Sequence, residues 1–179
     1  MPPYLGETQD SVLAFLKKVD LARFKDPFQL EEIAAYVDGL ESGNTAAKAS
    51  VDIALHDLVG KVLGQPLHRL WGYDPSKAPR TSYTIGIDSP EIVEAKTHEV
   101  SGFKVFKIKM GRGTDKEMVQ AVRRVTDAPF TADPNQGWTD REQSLDTIHW
   151  LKEQGCLFVE QPLPKEKIDD IAWLTERRF

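Results

Sequence analysis

The 179-residue sequence predicts an α/β fold in which a helical segment precedes part of a (β/α) barrel. From Thr81 onward, short apolar runs alternate with helical segments at a repeat of about 25 residues. The connections between these segments are short, as βαβ units require. The apolar runs are continuous, which is typical of parallel strands that are covered on both faces.

The N-terminal part of the chain has a helical pattern. Amphipathic stretches cover residues 11–19 and 28–40. Between Asn44, which suits an N-cap, and Gly64, which suits a helix end, apolar residues recur at helical spacing. Residues 66–72 predict one further short helix.

The boundary between the helical part and the barrel part is predicted near residue 73. Residues 73–80 contain two prolines and little periodicity, so we expect a linker there. We therefore expect a helical domain over residues 1–72 and the first half of a barrel over residues 73–179.

Four βα units are predicted after this linker. The predicted strands cover 82–87, 104–110, 130–133 and 157–160, and the predicted helices cover 89–100, 114–125, 140–154 and 167–176. A closed barrel needs about eight units, so roughly another hundred residues are expected beyond Phe179. An open doubly wound sheet is the alternative, but no Gly-x-Gly-x-x-Gly follows a predicted strand.

The composition is that of an ordinary globular protein, with 28% charged and 40% apolar residues. The formal net charge of -5 argues against a nucleic-acid surface or an anionic-membrane anchor. No apolar run is long enough to span a bilayer, and no secretory signal opens the sequence. The single cysteine, Cys156, cannot form an internal disulfide, which fits a reducing compartment. We therefore expect a cytoplasmic protein without nucleic-acid or membrane partners.

Two lysines lie two residues apart in the second predicted strand. Lys107 and Lys109 share one face of that strand, because side chains alternate along it. In a barrel interior, like-charge proximity and partial desolvation lower an ammonium pKa and make a neutral lysine base available. The alternative is an edge strand with solvated lysines, which is the common case for a bare Lys-x-Lys.

Acidic residues end the next two predicted strands. Asp133 ends the third strand and Glu160 ends the fourth, one repeat later. Carboxylates at the carboxyl ends of barrel strands face the active site, and two of them with oxygen-rich neighbours make a credible magnesium half-site. The alternatives are a turn for Asp133 and a helix N-terminal acid or loop residue for Glu160. The agreement of both acids and the lysine pair with the repeat favours the functional interpretation.

The motifs of these strands together resemble a known family. Lys-x-Lys at 107–109, Asp-x-Asn-Gln at 133–136 and Glu-Gln-Pro at 160–162 resemble the muconate-lactonizing subgroup of the enolase superfamily. The helix at 47–61, followed by Leu-Trp-Gly at 70–72, resembles the helical part of that family's capping domain.

Two further segments resemble the dipeptide epimerase branch of this family in particular. They are Ser82–Asp88 and the opening Tyr4–Thr8. The resemblance covers essentially the whole chain. It implies part of a (β/α)7β TIM-like barrel, preceded by helices of an α+β capping domain.

The resemblance also implies a reaction and roles for individual residues. The expected reaction is Mg2+-dependent abstraction of the proton α to a carboxylate through an enediolate intermediate. Lys109 is expected to be the acid/base catalyst, and Lys107 its electrostatic neighbour. Asp133 and Glu160 are expected to be two of three Mg2+ ligands. The expected site neighbours are Asn135, Gln161 and Thr84.

The same resemblance implies that part of the site is absent from this sequence. The third acidic ligand and an opposing lysine are expected beyond Phe179, so the chain is expected to be a fragment that is inactive alone. The expected partner is a small-molecule carboxylate, and specifically a dipeptide. The parent enzyme is expected to be a homo-oligomer.

Two alternatives to a dipeptide epimerase stay open. The first is a muconate-type cycloisomerase or o-succinylbenzoate synthase on the same scaffold. The second is a non-catalytic half-barrel that assembles with another chain.

Overall fold

A computed structural model describes residues 6–177 and shows an α/β protein. The chain divides into two compact units, Met1–Ala78 and Pro79–Phe179. No helix within the described range is both long enough and apolar enough to cross a membrane. Tyr4 and Leu5, which belong to one of the segments that resemble dipeptide epimerases, lie outside that range.

The first unit is helical, as predicted. Its helices are α1 (Gln9–Leu16), α2 (Leu30–Leu40), α3 (Thr45–Leu63) and α4 (Leu67–Leu70), with 3-10 turns at Leu21–Arg23 and Pro75–Lys77. The apolar faces of α1, α2 and α3 form one core, because amphipathic helices are stable only when those faces are covered. The buried residues of this core are Phe15, Ile33, Val37, Ala47, Val51 and Leu55.

The N-terminus of α3 is capped differently from the prediction. Asn44 precedes the helix, but its backbone is left-handed, with φ of 52°, and its side chain makes no capping hydrogen bond. The Glu7 carboxylate caps the helix by accepting hydrogen bonds from the Thr45 hydroxyl at 2.8 Å and the Ala46 N–H at 3.1 Å. These bonds, the one from Thr45 above all, hold the pKa of the Glu7 carboxyl below its usual range. The helix ends before Gly64, as predicted.

The second unit contains four βα units, which confirms the predicted alternation. Its elements are β1 (Ser82–Ile85), α5 (Pro90–Glu99), β2 (Val105–Lys109), α6 (Asp115–Val125), β3 (Phe130–Asp133), α7 (Arg141–Glu153), β4 (Cys156–Val159) and α8 (Ile168–Arg177). All four strands are parallel, and their order in the sheet is β1-β2-β3-β4. Strands that are consecutive both in the chain and in the sheet are the pattern of successive barrel units.

The fourth strand ends one residue earlier than predicted. Glu160 lies just beyond β4, although its N–H still donates to Ala132 O at 2.8 Å. That hydrogen bond keeps Glu160 beside the end of β3, so the two predicted acidic strand ends remain neighbours.

The sheet has one apolar face and one polar face. In the β2–β3 register, Phe106 lies opposite Phe130 and Ile108 lies opposite Ala132, and all four are 0% exposed. They pack against buried side chains of α5, α6 and α7. The alternate residues of the same two strands point to the other face, which carries the candidate site.

Candidate active site

The polar face of the sheet brings together two lysines and a carboxylate. Lys107 lies opposite Thr131 in the β2–β3 register, and Lys109 lies opposite Asp133. The prediction that the lysines share one face is confirmed. The alternative of an edge strand is wrong, because β2 lies between β1 and β3. The side chains of Lys107 and Lys109 are 22% and 31% exposed, so both are partly desolvated.

Two ammonium groups and two carboxylates form a continuous ion-pair network. Lys109 Nζ lies 2.7 Å from Asp133 Oδ2, and Lys107 Nζ lies 3.0 Å from the same oxygen. Lys107 Nζ also lies 2.5 Å from Glu160 Oε2. Lys109 Nζ donates a second hydrogen bond to Asn135 Oδ1 at 2.7 Å. Formal charges balance within the network, which compensates the burial of Asp133, whose side chain is 1% exposed.

The network sets the protonation of two of its members. The hydrogen bond to Glu160 raises the pKa of the Lys107 ammonium group, and Asp133 raises it further. Burial by itself raises the pKa of the Asp133 carboxyl, but the hydrogen bonds from Lys109 and Lys107 outweigh burial. The net pKa of Asp133 therefore lies below its usual value. Lys107 is therefore not the neutral lysine base that a lowered ammonium pKa would provide, because the two carboxylates outweigh desolvation.

Three residues at the strand ends have backbone conformations that are uncommon outside glycine. Asn135, Gln136 and Gln161 have positive φ angles of 49°, 65° and 45°. The N–H of Gln136 donates to Gln161 O at 2.7 Å, which ties the loop after β3 to the loop after β4. Uncommon conformations of this kind persist only where surrounding contacts hold them, and they cluster at functional sites.

The three expected site neighbours differ from one another in how they relate to the ion-pair network. Asn135 contacts Lys109 directly. Gln161 contributes its main-chain carbonyl, which accepts the hydrogen bond from the loop after β3. Thr84 lies opposite Lys107 in the β1–β2 register, but its side chain is exposed and makes no hydrogen bond to the network within residues 6–177.

The donor set fits a divalent cation. Asp133 and Glu160 each direct a carboxylate oxygen at Lys107 Nζ, so both converge on one position that already holds a positive group. Mg2+ prefers oxygen ligands and commonly uses one or two carboxylates together with water and substrate oxygens. Across the described part of the chain, no group of three or more His, Cys, Asp or Glu side chains is arranged to hold a metal. Two carboxylates are therefore what this part of the chain offers to such an ion.

Two family models match successive parts of the chain. Residues 4–72 match the N-terminal domain of mandelate racemase / muconate lactonizing enzyme. Residues 92–179 match the enolase C-terminal domain-like model. The chain belongs to the mandelate racemase / muconate lactonizing enzyme family. Its lysine pair and its two converging carboxylates all lie in the part that corresponds to the family's C-terminal domain.

Curated relatives of this family member include epimerases and cycloisomerases. An L-Ala-D/L-Glu epimerase from Bacteroides thetaiotaomicron is 60% identical over 178 residues, which are 99% of this chain and 46% of that protein. A chloromuconate cycloisomerase from Cupriavidus necator is 33% identical over 166 residues, which are 86% of this chain and 43% of that protein. The chain thus spans about half the length of the curated relatives it matches.

A solved structure of a dipeptide epimerase shares the fold of this family member. The protein is from Enterococcus faecalis and is complexed with Mg and the dipeptide L-Leu-L-Tyr. The TM-score is 0.76 at 30% identity, and the match covers 97% of this chain and 50% of that structure.

One polar residue next to the site, Asp115, carries no distinguishing signal in the sequence. Asp115 begins α6, and its carboxylate accepts hydrogen bonds from Gly111 N–H and from the indole N–H of Trp138. In the sequence it has the ordinary appearance of an acidic residue in the first turn of a helix. Its partner Trp138 lies in the next βα unit, so no local pattern signals the contact.

Proposed function

We propose that this chain supplies half of the active site of a Mg2+-dependent isomerase that moves the proton α to a carboxylate. The observation that carries the proposal is the convergence of Asp133 and Glu160 on one cationic group, directly beside Lys109. The α-proton is only weakly acidic, so its removal needs both a base and a cation that stabilises the developing negative charge.

Asp133 and Glu160 are the residues that would hold the ion. The Asn135 N–H donates to Asp133 Oδ1 at 2.9 Å, which orients the carboxylate and leaves Oδ2 facing the cation position. The Glu160 side chain is 42% exposed, so its carboxylate is open to an ion that enters from solvent. An ion held by Asp133 and Glu160 would supply positive charge to offset the negative charge that develops on a substrate carboxylate.

Lys109 is the residue that moves the proton. It is the lysine nearer the carboxyl end of β2, where the active sites of such barrels open. Asn135 Oδ1 accepts a hydrogen bond from its Nζ and so directs the amine. Lys107 lies two residues deeper, a distance of about 6 to 7 Å along the strand. In the metal-free protein, hydrogen bonds to Glu160 and Asp133 raise the pKa of Lys107, so Lys107 is a positive charge beside Lys109.

The proposed substrate is a dipeptide, and the proposed reaction is epimerisation at its α-carbon. The 60% identity to an L-Ala-D/L-Glu epimerase over nearly the whole chain supports this choice. The similarity in fold to a dipeptide epimerase that is complexed with Mg and a dipeptide supports it further. The second candidate is a cycloisomerase, which the 33% identity to a chloromuconate cycloisomerase favours.

The domain organisation is part of the proposal. We assign residues 1–72 to a capping domain and residues 73–179 to the first half of a barrel, and the match of residues 4–72 to the family's N-terminal domain supports the first assignment. A third acidic ligand and an opposing lysine would come from polypeptide outside this chain. A homo-oligomeric parent stays a prediction from the family resemblance. A cytoplasmic location stays a prediction from the single cysteine of the sequence.

The test uses the whole protein, meaning the natural polypeptide that contains residues 1–179. Exchange of the glutamate α-proton of L-Ala-L-Glu with D2O is followed by NMR, together with formation of the L-Ala-D-Glu epimer. We expect both to require Mg2+ and to stop in excess chelator. Asp133→Asn and Glu160→Gln should each lower the exchange rate at least about a hundredfold.

Glu166→Gln is the matched control, because Glu166 is an exposed carboxylate in the same loop as Glu160. It should exchange at the wild-type rate. Undiminished exchange in chelator would contradict the proposal. Conversion of a muconate without any dipeptide exchange would favour the cycloisomerase, and a protein without either activity would favour a non-catalytic half-barrel.

A further inference from the structure

Asp115 connects two loops of the candidate site, one that follows Lys109 and one that contains Asn135. Its Oδ1 accepts a hydrogen bond from Gly111 N–H at 2.8 Å, in the loop after β2. Its Oδ2 accepts one from Trp138 Nε1 at 2.6 Å, in the loop after β3. One carboxylate therefore bridges two loops of successive βα units.

This use of Asp115 differs from ordinary helix capping. An acidic residue in the first turn of a helix usually stabilises the N–H groups of its own helix. Both hydrogen bonds of Asp115 instead come from residues outside α6, and Thr114 at the N-cap position makes no side-chain cap. Both donors are partly buried, so loss of the carboxylate would leave them short of a partner.

The two bridged loops carry the partners of one hydrogen bond in the site. Gly111 lies two residues after Lys109, and Trp138 lies three residues after Asn135. Lys109 Nζ and Asn135 Oδ1 are 2.7 Å apart. Asn135 has a left-handed backbone, with φ of 49°, so external contacts must hold its loop in place.

A second contact holds the same two loops together. The backbones of Gly111 and Gly137 are packed so closely that a Cβ on Gly137 would lie 2.6 Å from Gly111 O. The main-chain N–H of Trp138 donates to Pro162 O at 3.1 Å, which anchors the backbone of this tryptophan on the loop after β4. The indole is thus a fixed donor for Asp115.

We infer that Asp115, through Gly111 and Trp138, is a positioning residue that sets the approach of Asn135 to Lys109 and so directs the Lys109 amine at the substrate. This inference rests on the proposed function. A positioning role of Asp115 differs from a purely structural role in one measurable respect. An epimerase removes the α-proton from opposite faces in its two directions, so misplacement of Lys109 should slow exchange from one epimer more than from the other. A general loss of structure or of Mg2+ would slow both equally.

The experiment measures α-proton exchange in D2O for L-Ala-L-Glu and L-Ala-D-Glu separately, with the whole protein and saturating Mg2+. Lys109→Ala serves as the reference, because it identifies the epimer that faces Lys109. Asp115→Asn keeps one acceptor oxygen. Trp138→Phe keeps an aromatic side chain but removes the indole N–H donor. Both should slow exchange from that epimer about ten- to a hundredfold, with much less effect on the other epimer. Both should also leave the Mg2+ concentration for half-maximal exchange unchanged.

Glu117→Gln is the matched control, since Glu117 is an exposed acid in the same first turn of α6. It should leave both exchange rates at the wild-type level. Equal slowing of both epimers by Asp115→Asn and Trp138→Phe, or no slowing relative to Glu117→Gln, would overturn the inference. Absence of exchange in the wild-type protein would instead refute the proposed function.

Discussion

The backbones of Gly111 and Gly137 lie in direct contact at the carboxyl edge of the sheet. A Cβ on Gly111 would lie 2.4 Å from Pro134 O, and a Cβ on Gly137 would lie 2.6 Å from Gly111 O. Real Cβ atoms do not approach main-chain oxygens this closely, so a side chain at either position must displace a loop. The displaced loops are those that follow Lys109 and contain Asn135.

Gly111→Ala is therefore expected to lower the rate of α-proton exchange by the whole protein at least about a hundredfold. A displacement of catalytic groups by about 1 Å can lower a rate by that factor. Gly113→Ala is the matched control. Gly111 and Gly113 both have positive φ, at 92° and 82°, but nothing lies within 4 Å of a Cβ on Gly113. Its alanine variant should lose about 1 to 2 kcal/mol of unfolding free energy, because an L-residue is strained at positive φ, and little activity. Similar activity losses for both variants would show that backbone strain, and not the contact with Pro134, limits this position.

The Arg123 guanidinium binds the carboxyl ends of two helices. It donates to Gln154 O at 2.7 and 2.6 Å, just after α7. It also donates to Thr126 O at 3.0 Å and to Ala128 O at 2.8 Å, just after α6. Helix carboxyl ends present unpaired carbonyls and a partial negative charge, so a cation that satisfies two of them, together with Ala128 O of the following loop, is favourable.

Arg123→Ala is expected to lower the free energy of unfolding by about 2 to 4 kcal/mol, because three carbonyl groups lose a charged donor. The adjacent Arg124 provides the control. Its side chain is 51% exposed and pairs with Glu94 at the surface, so Arg124→Ala should cost less than about 1 kcal/mol. Urea unfolding followed by circular dichroism measures both values. Comparable values for the two variants would contradict the assigned role of Arg123.

The stability of the metal-free protein is expected to depend on pH through Asp133. In the folded protein its pKa lies below the ordinary value of 3.8, so its stabilising contribution is complete above that pH. The contribution is lost as the pH falls from 3.8 through the folded pKa. The difference in unfolding free energy between wild type and Asp133→Asn should therefore decrease from neutral pH to about pH 2. A difference that does not change with pH would show that Asp133 is not held ionised by its lysine partners.

The sequence was sufficient to predict the residues that lie on strands. Lys107 and Lys109 alternate with apolar residues, and Asp133 ends a strand in step with the repeat, so strand geometry alone places them on one face. The four-unit alternation follows from the same periodicity. Glu160, predicted as the last residue of the fourth strand, lies one residue beyond the end of β4.

The contacts between loops could not be predicted in this way. Glu7 caps a helix that begins 38 residues later, at Thr45, and Asp115 meets a tryptophan that lies 23 residues further along the chain. Such pairs depend on how separate elements pack, which local patterns do not specify. The pKa of Lys107 rises because its carboxylate neighbours, Asp133 and Glu160, come from two other units, which no local pattern specifies.

The two lysines of β2 are expected to have different roles, and α-proton exchange can separate them. Lys109→Ala should remove exchange from the epimer whose α-proton faces β2, because no other amine on this strand reaches the carboxyl edge of the sheet. Exchange from the other epimer should persist without epimerisation, since an opposing base would still act on it. Lys107→Ala should slow exchange from both epimers, because the positive charge between Asp133 and Glu160 is lost.

Lys104→Ala is the control for a lysine lost from the same segment, because Lys104 is exposed and precedes β2. It should exchange both epimers at the wild-type rate. The assignment of Lys109 follows from position: it pairs with Asp133 in register and donates to Asn135, both at the carboxyl edge, whereas Lys107 lies deeper against two carboxylates. If Lys109→Ala retains full exchange from both epimers while Lys107→Ala loses it from one, the roles of the two lysines are the reverse of those assigned.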